Sequence, residues 1–179
     1  MRRVTKEEKY GILLYGVENF MDSNEKNHVL IVDDEKMNIE ILASILRSEY
    51  AVYMAKNGAS AIEMAHKYSP DIILLDVIMP DMNGFDVLAV LKASEKTRNI
   101  PVIITTGLNS VEDEEKGLRL GAVDFIHKPF SAGVVQLRVR NQMLLVKLQQ
   151  DLENLKHEGA VGILEKTESL AATEHKNGC

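Results

Sequence analysis

The sequence predicts a doubly wound α/β domain: a five-stranded parallel sheet with five helices on its two faces, the last helix running on past the body. Three observations carry this. Short runs of apolar, often β-branched residues without polar alternation recur between residues 28 and 148, as they do in strands covered on both faces. Between them lie segments whose apolar residues repeat at helical spacing. The two kinds of segment alternate, which is the pattern of βαβ units around a parallel sheet.

The elements follow in order. Val29-Leu30-Ile31-Val32 is the first strand, and Ile39, Leu42, Ile45 and Leu46 stripe the first helix. Ala51–Ala55 is a shorter strand, followed by a helix marked by Ala61, Ile62, Met64 and Ala65. Asp71-Ile72-Ile73-Leu74-Leu75-Asp76 is the third strand, and Val87, Leu88, Val90 and Leu91 mark the third helix. Pro101-Val102-Ile103-Ile104-Thr105-Thr106 is the fourth strand. A weaker stripe of Val111, Leu118 and Leu120 follows it. Asp124-Phe125-Ile126-His127 is the fifth strand, and Val134, Val135, Leu137 and Val139 open the fifth helix.

Two extensions flank the domain. Residues 1–27 place Tyr10, Leu13, Leu14, Val17, Phe20 and Met21 at helical spacing, with Gly11 and Gly16 weakening the helix. A short helix or frayed lead-in is expected there. At the other end Leu145, Leu148, Leu152 and Leu155 continue the last helix for about two heptads. From Glu158 onward Gly, Thr, Glu, Lys and His dominate, which favours a mobile tail. The division is therefore 1–27 extension, 28–148 domain, and 149–179 extended helix and tail.

Composition narrows the function. Of 179 residues, 45% are apolar and 27% charged, ordinary for a globular protein with a real core. Cys179 is the only cysteine, so no disulfide forms within the chain, in keeping with a reducing cytoplasm. The net charge of −6 weighs against direct nucleic-acid binding, which needs Lys and Arg against phosphates. No apolar run approaches the roughly 20 residues of a membrane span. The short stretch Ile12–Val17 after basic Met1-Arg2-Arg3 lacks the build of a signal peptide.

In an open α/β sheet, ligands collect beyond the carboxyl ends of the strands. Here those ends carry Asp33-Asp34, Asp76, Thr106 and Lys128. Each residue alone has an ordinary explanation: a helix cap, a surface carboxylate, a β-favoured threonine, a solvated lysine. Together they supply three carboxylates, a hydroxyl and an ammonium at successive strand ends. Clustered carboxylates repel unless a cation neutralises them, and an oxygen-only ligand set suits Mg²⁺. A carboxylate that attacks phosphorus gives an aspartyl phosphate. Lys128 would offset the new charge and Thr106 would hydrogen-bond to it.

Four segments carry a family resemblance: Val29 to Asp34, Leu75 to Gly84 (LDVIMPDMNG), Pro101 to Gly107, and Lys128-Pro129-Phe130. They resemble the receiver domain of two-component response regulators, over roughly residues 28–148. The resemblance implies the sheet order 2-1-3-4-5, Asp76 as phosphoacceptor, and Mg²⁺ held by Asp33, Asp34, Asp76 and the backbone carbonyl of Ile78. It implies that Thr106, which directly precedes Gly107, is the switch hydroxyl, and Phe125 the aromatic that changes rotamer. It also implies a cis Lys128–Pro129 bond. The implied partners are an upstream histidine kinase or phosphotransfer protein and an unknown downstream protein, with residues 111–155 as the surface for a homodimer. Ile78 and Leu108, two residues beyond Asp76 and Thr106, are apolar and cannot orient a water, which implies slow self-dephosphorylation.

Three other readings compete. A Mg²⁺-dependent phosphohydrolase of the haloacid-dehalogenase-like class would place its nucleophile in a D-x-D motif after the first strand, whereas Asp76 ends the third. A phosphorylation-independent interaction module on the same fold usually lacks one of the acid pair, Asp, Thr or Lys, all of which are retained here. A receiver fragment of a hybrid kinase would carry this same set. The residues after the domain are too few for a winged-helix DNA-binding domain and are not basic.

Overall fold

Strand periodicity divides each apolar run between two cores. In the computed structural model, which describes residues 26–107 and 111–174 with side chains as far as Lys156, alternate residues of the central strands face opposite sides. Leu30, Val32, Ile73 and Leu75 belong to one core; Val29, Ile31, Ile72 and Leu74 belong to the other. Both faces must therefore be covered by helices, and they are.

The described elements run β1 (His28–Val32), α1 (Lys36–Leu46), β2 (Ala51–Ala55), α2 (Gly58–Tyr68), β3 (Ile72–Asp76), α3 (Gly84–Ala93), β4 (Val102–Thr106), α4 (Val111–Arg119), β5 (Asp124–His127) and α5 (Ala132–Glu174). The five strands pair in parallel in the order β2-β1-β3-β4-β5, the order the resemblance implied. The chain reverses direction across the sheet between β1 and β3, so the loops after those strands frame a crevice. Helices α2 and α3 cover one face through Ala61, Ala65, Phe85, Val87, Leu88 and Leu91. Helices α1 and α5 cover the other through Ile39, Leu42, Leu46, Val135, Val139 and Met143.

Local sequence explains the helix boundaries. Asn57 caps α2 by accepting a hydrogen bond from Ser60 N at 2.8 Å, and Asn83 caps α3 by accepting from Phe85 N at 2.8 Å. Helix α2 ends at Ser69, which takes the left-handed conformation (φ 45°). Arg140 of α5 pairs with Glu49 after α1 at 3.2 Å, tying the last helix to the body.

The apolar stripes are only partly buried. Val90, Val111, Leu118, Val134 and Leu137 are exposed. Helix α4 departs furthest from its expected stripe: its buried residue is Gly117, because the Phe125 ring and Ile104 occupy the space a side chain would need. Helix α5 continues through Glu174, past residue 158 where composition favours a tail. The stripe expected in residues 1–27 falls, up to residue 25, outside the described residues, as does Leu108. Among the described residues no helix is long and apolar enough to cross a membrane.

Candidate functional site

The carboxyl ends of β1, β3, β4 and β5 meet at one corner. Asp33 follows β1 and is fully buried; Asp76 ends β3 and is buried as well; Asp34 is exposed. One carboxylate oxygen of each of the three lies within 4.8 Å of the others. Lys128, just after β5, reaches back into this group. Its Nζ lies 2.9 Å from Asp33 Oδ2 and 3.1 Å from Asp76 Oδ1. The charges touch, yet neither oxygen receives an aligned hydrogen bond. The Lys128–Pro129 bond is cis, as the resemblance implied.

Asp33 divides its two oxygens between tasks. Oδ1 accepts from Glu35 N at 2.9 Å and from Asn38 Nδ2 at 3.1 Å, which fixes the carboxylate against the first turn of α1. Oδ2 is left for the cluster. Asn38 also donates to Glu35 Oε2. Asp33 thus contributes to the start of α1 while still meeting Asp76 and Lys128. Asn38 was missed by sequence reasoning. Its signal was a polar residue one turn into a helix whose neighbours Ile39 and Leu42 are core.

Asp76 is positioned from behind by Gly84. A Cβ at position 84 would fall 2.1 Å from the Asp76 carbonyl oxygen and 2.8 Å from Val77 Cα. Gly84 N donates to Val77 O at 2.9 Å. Only a residue without a side chain lets α3 start against this backbone. The Asn83-Gly84 pair at the end of the LDVIMPDMNG segment therefore does two jobs, a cap and a close approach.

Thr106 is buried at the end of β4, and its carbonyl accepts from Lys128 N at 2.8 Å. Its neighbour Thr105 is fully buried and pairs in register with Asp76. Phe125 does not line the crevice; it is buried against Gly117 and Ile104. The crevice is an open hollow walled by Asp34, Glu35, Asp76, Ile78, Met79, Pro80, Gly107 and Lys128. Ile78 stands at its mouth, 56% exposed.

Electrostatics follow from burial. Removal from water, more than any neighbour, raises the Asp76 pKa from 3.8 to about 6; Lys128 opposes the rise and Asp33 adds to it. Burial pulls the Lys128 pKa down, but Asp33 and Asp76 more than offset this and hold it above the usual lysine value. One ammonium faces three carboxylates, so the cluster is short of positive charge. Two buried carboxylate oxygens that share a single lysine, in an oxygen-only set, fit a small hard cation.

Fold and site together define a doubly wound domain with an acidic, lysine-bearing crevice at its switch point. The chain belongs to the response regulator receiver domain family, whose profile matches residues 29–140. Among curated relatives, the Response regulator PleD of Caulobacter vibrioides (strain NA1000 / CB15N) is 40% identical over 135 residues, which is 75% of this chain and 29% of that protein. Histidine kinase P4 of Formosa agariphila is 33% identical over 142 residues, 79% of this chain and 10% of that protein. The chain thus spans a minor part of the length of these relatives. Among solved structures, a response regulator receiver domain protein (CheY-like) from Methanospirillum hungatei JF-1 superposes with a TM-score of 0.65 at 25% identity, covering 70% of this chain and 99% of that one. The signal receiver domain of a signal transduction histidine kinase from Syntrophus aciditrophicus gives 0.63 at 35% identity, covering 68% and 92%.

Proposed function

We propose that the chain is a phosphorylation-controlled switch in which Asp76 accepts a phosphoryl group from a histidine kinase or phosphotransfer protein. The observation that carries this reading is the convergence of Lys128 Nζ on the buried oxygens of Asp33 and Asp76. Membership of the receiver family supports signalling by phosphorelay.

Asp33, Asp34 and Asp76, with the Ile78 carbonyl, would hold Mg²⁺. When bound, it would supply neutralising charge for the carboxylates and the incoming phosphoryl oxygens. The chain's own residues do the rest. An Asp76 oxygen attacks phosphorus, the phosphorus–nitrogen bond of the donor histidine breaks, and the imidazole leaves with the bonding pair. The Lys128 ammonium remains to balance the transferred charge. Asn38 and Glu35 N hold Asp33 still during the transfer. Thr106, at the end of β4, supplies a hydroxyl for the new phosphoryl oxygens.

The energy suffices for a switch. A phosphoryl group adds about −1.5 to −2 charges, and a hydrogen bond to a charged group contributes about 1.5–3 kcal/mol. Two such bonds approach the roughly 5.5 kcal/mol that moves a 1:99 equilibrium to 99:1. The surface that responds is α4, β5 and the first part of α5, which present the change to a downstream protein. The apolar Ile78 side chain at the mouth cannot itself orient a water by hydrogen bonding, so the acyl phosphate decays slowly.

Intact mass after incubation with Mg²⁺ and acetyl phosphate tests the reading. One added phosphoryl group, labile to mild base, is expected on the native chain and not on Asp76→Ala. A native chain that stays unmodified, while Mg²⁺ still binds, would point instead to a phosphorylation-independent interaction module.

A further inference from the structure

Two apolar stripes of this chain share one spacing. On helix α5, Leu145, Leu148, Leu152 and Leu155 are separated by three, four and three residues, and each is half or more exposed. At about 100° per residue they point away from Val135, Val139 and Met143, which are buried in the core. In the N-terminal extension Tyr10, Leu13, Val17 and Phe20 are likewise separated by three, four and three residues. We propose that residues 7–21 form a helix that lies antiparallel along this stripe of α5 and covers it.

The place where the extension joins the domain selects this occupant and its direction. Lys26 donates from Nζ to the carbonyls of Arg47 at 3.3 Å and Ser48 at 3.1 Å. The next residue, Glu49, pairs with Arg140 of α5 at 3.2 Å, close to Met143, where the buried side of α5 ends. The extension therefore meets the domain beside the point from which α5 runs on. In the antiparallel pairing Phe20 meets Leu145, Val17 meets Leu148, Leu13 meets Leu152 and Tyr10 meets Leu155. Met21 is then level with Leu144, about 6 Å along the axis from Arg140. A parallel pairing would set Met21 level with Lys156, about 24 Å from Arg140. The stretch from Met21 to Lys26 spans at most about 18 Å, so the parallel pairing is out of reach.

The flanks agree. On one side of the stripe Leu152 borders a hollow of about 510 Å³, walled also by Asn99, Val146, Gln149 and Lys156. With Leu145 and Leu152 at heptad position a, Gln149 and Lys156 fall at e; with Tyr10 and Val17 at a, Glu7 and Leu14 fall at e. Antiparallel helices set e against e, so Leu14 turns toward Gln149 and the hollow, and Glu7 meets Lys156. The extra width that Leu14 gives the N-terminal stripe thus has a place to go, and the charged pair on that flank is of opposite sign. Gly11 and Gly16 weaken the segment as a helix on its own, and a helix this short is marginal in water without a face to pack on. Helix α5 supplies that face.

Disulfide trapping in the whole chain tests this, with Cys179→Ser to remove the native thiol. No phosphodonor is present, so the outcome does not depend on phosphorylation of Asp76. Val17→Cys with Leu148→Cys should close a disulfide within one chain under mild oxidation, read by intact mass and by a monomer band on a non-reducing gel. Tyr10→Cys with Leu145→Cys, which the antiparallel order holds about 15 Å apart along the axis, should stay reduced. No bond at the first pair, or an equal bond at the second, overturns the proposal. A bond between chains overturns it as well and assigns the stripe to a second copy. Leu13→Glu should slow closure of the first pair at least about tenfold; an unchanged rate overturns the proposal. Glu7→Lys should slow it about two- to fivefold, and adding Lys156→Glu should restore it. Failure of that restoration overturns the register.

Discussion

Lys128 Nζ lies 3.1 Å from Asp76 Oδ1 without an aligned hydrogen bond between them. The lysine opposes the rise in the Asp76 pKa, and it meets Asp33 Oδ2 at 2.9 Å. Among the described residues it is the cation paired with these two buried carboxylates, and replacing it removes that charge. Lys128→Met should destabilise the protein by about 1–3 kcal/mol at pH 7, less than for a fully buried pair because Lys128 is partly exposed. Urea unfolding measures this, and Mg²⁺ should recover more stability in the variant than in the native chain.

The raised Asp76 pKa has a sign that can be worked out. From the unfolded value of 3.8 to the folded value of about 6, the folded protein holds more protons than the unfolded one. Stability without metal therefore falls as pH rises through that window, and the loss is complete above it. Asp76→Asn removes the charge and should raise stability at pH 8 by up to about 3 kcal/mol. The gain should disappear below pH 4. A gain that is constant with pH would mean that desolvation of the charge is not its source.

Gly84 holds a different constraint, since a side chain there would collide with backbone and not with a movable side-chain tip. Gly84→Ala should cost at least about 1–3 kcal/mol, despite the better helix propensity of alanine. Because the collision is with the Asp76 carbonyl, phosphorylation by acetyl phosphate should slow along with the loss of stability.

Gly117 and Phe125 compete for one space, with a Cβ on Gly117 falling 2.6 Å from Phe125 Cζ. Gly117→Ala should destabilise the native chain by about 1–3 kcal/mol. In a Phe125→Ala background the same change should be neutral or stabilising by up to about 1 kcal/mol, since the methyl group enters the vacated space and glycine is a poor helix former. Denaturation of the four proteins in this cycle measures the coupling directly.

Ile78 at the mouth of the crevice is exposed and can be changed without touching the core. Ile78→Asn should shorten the lifetime of the phosphorylated protein, followed by intact mass over time, while leaving unfolding within about 0.5 kcal/mol of native. An unchanged or longer lifetime would remove the basis for slow hydrolysis.

Much of this architecture was legible in the residues. Runs such as Ile72–Leu75 announced strands covered on both faces, and the alternation with helices led to a parallel sheet. Strand ends then placed Asp33, Asp76, Thr106 and Lys128 on one side, where the structure has them. Three things were not legible. The inward face of α4 rests on Gly117, and a search for apolar stripes counts side chains, so the weak stripe it finds includes Val111 and Leu118, which are exposed. Asn38 supports Asp33 across five residues, a contact set by the turn into α1 and by no repeat in the sequence. The domain order of strands came from resemblance, because spacing alone does not order a parallel sheet.

The bond from Lys128 N to the Thr106 carbonyl has one more consequence. It stitches together the ends of β4 and β5, so the two residues that would grip a transferred group share one backbone frame. Much of the conformational entropy of bringing them together is lost when the domain folds and not when a signal arrives. A ligand at this corner meets jaws already hinged to each other, and a displacement felt by one strand is handed to its neighbour without delay.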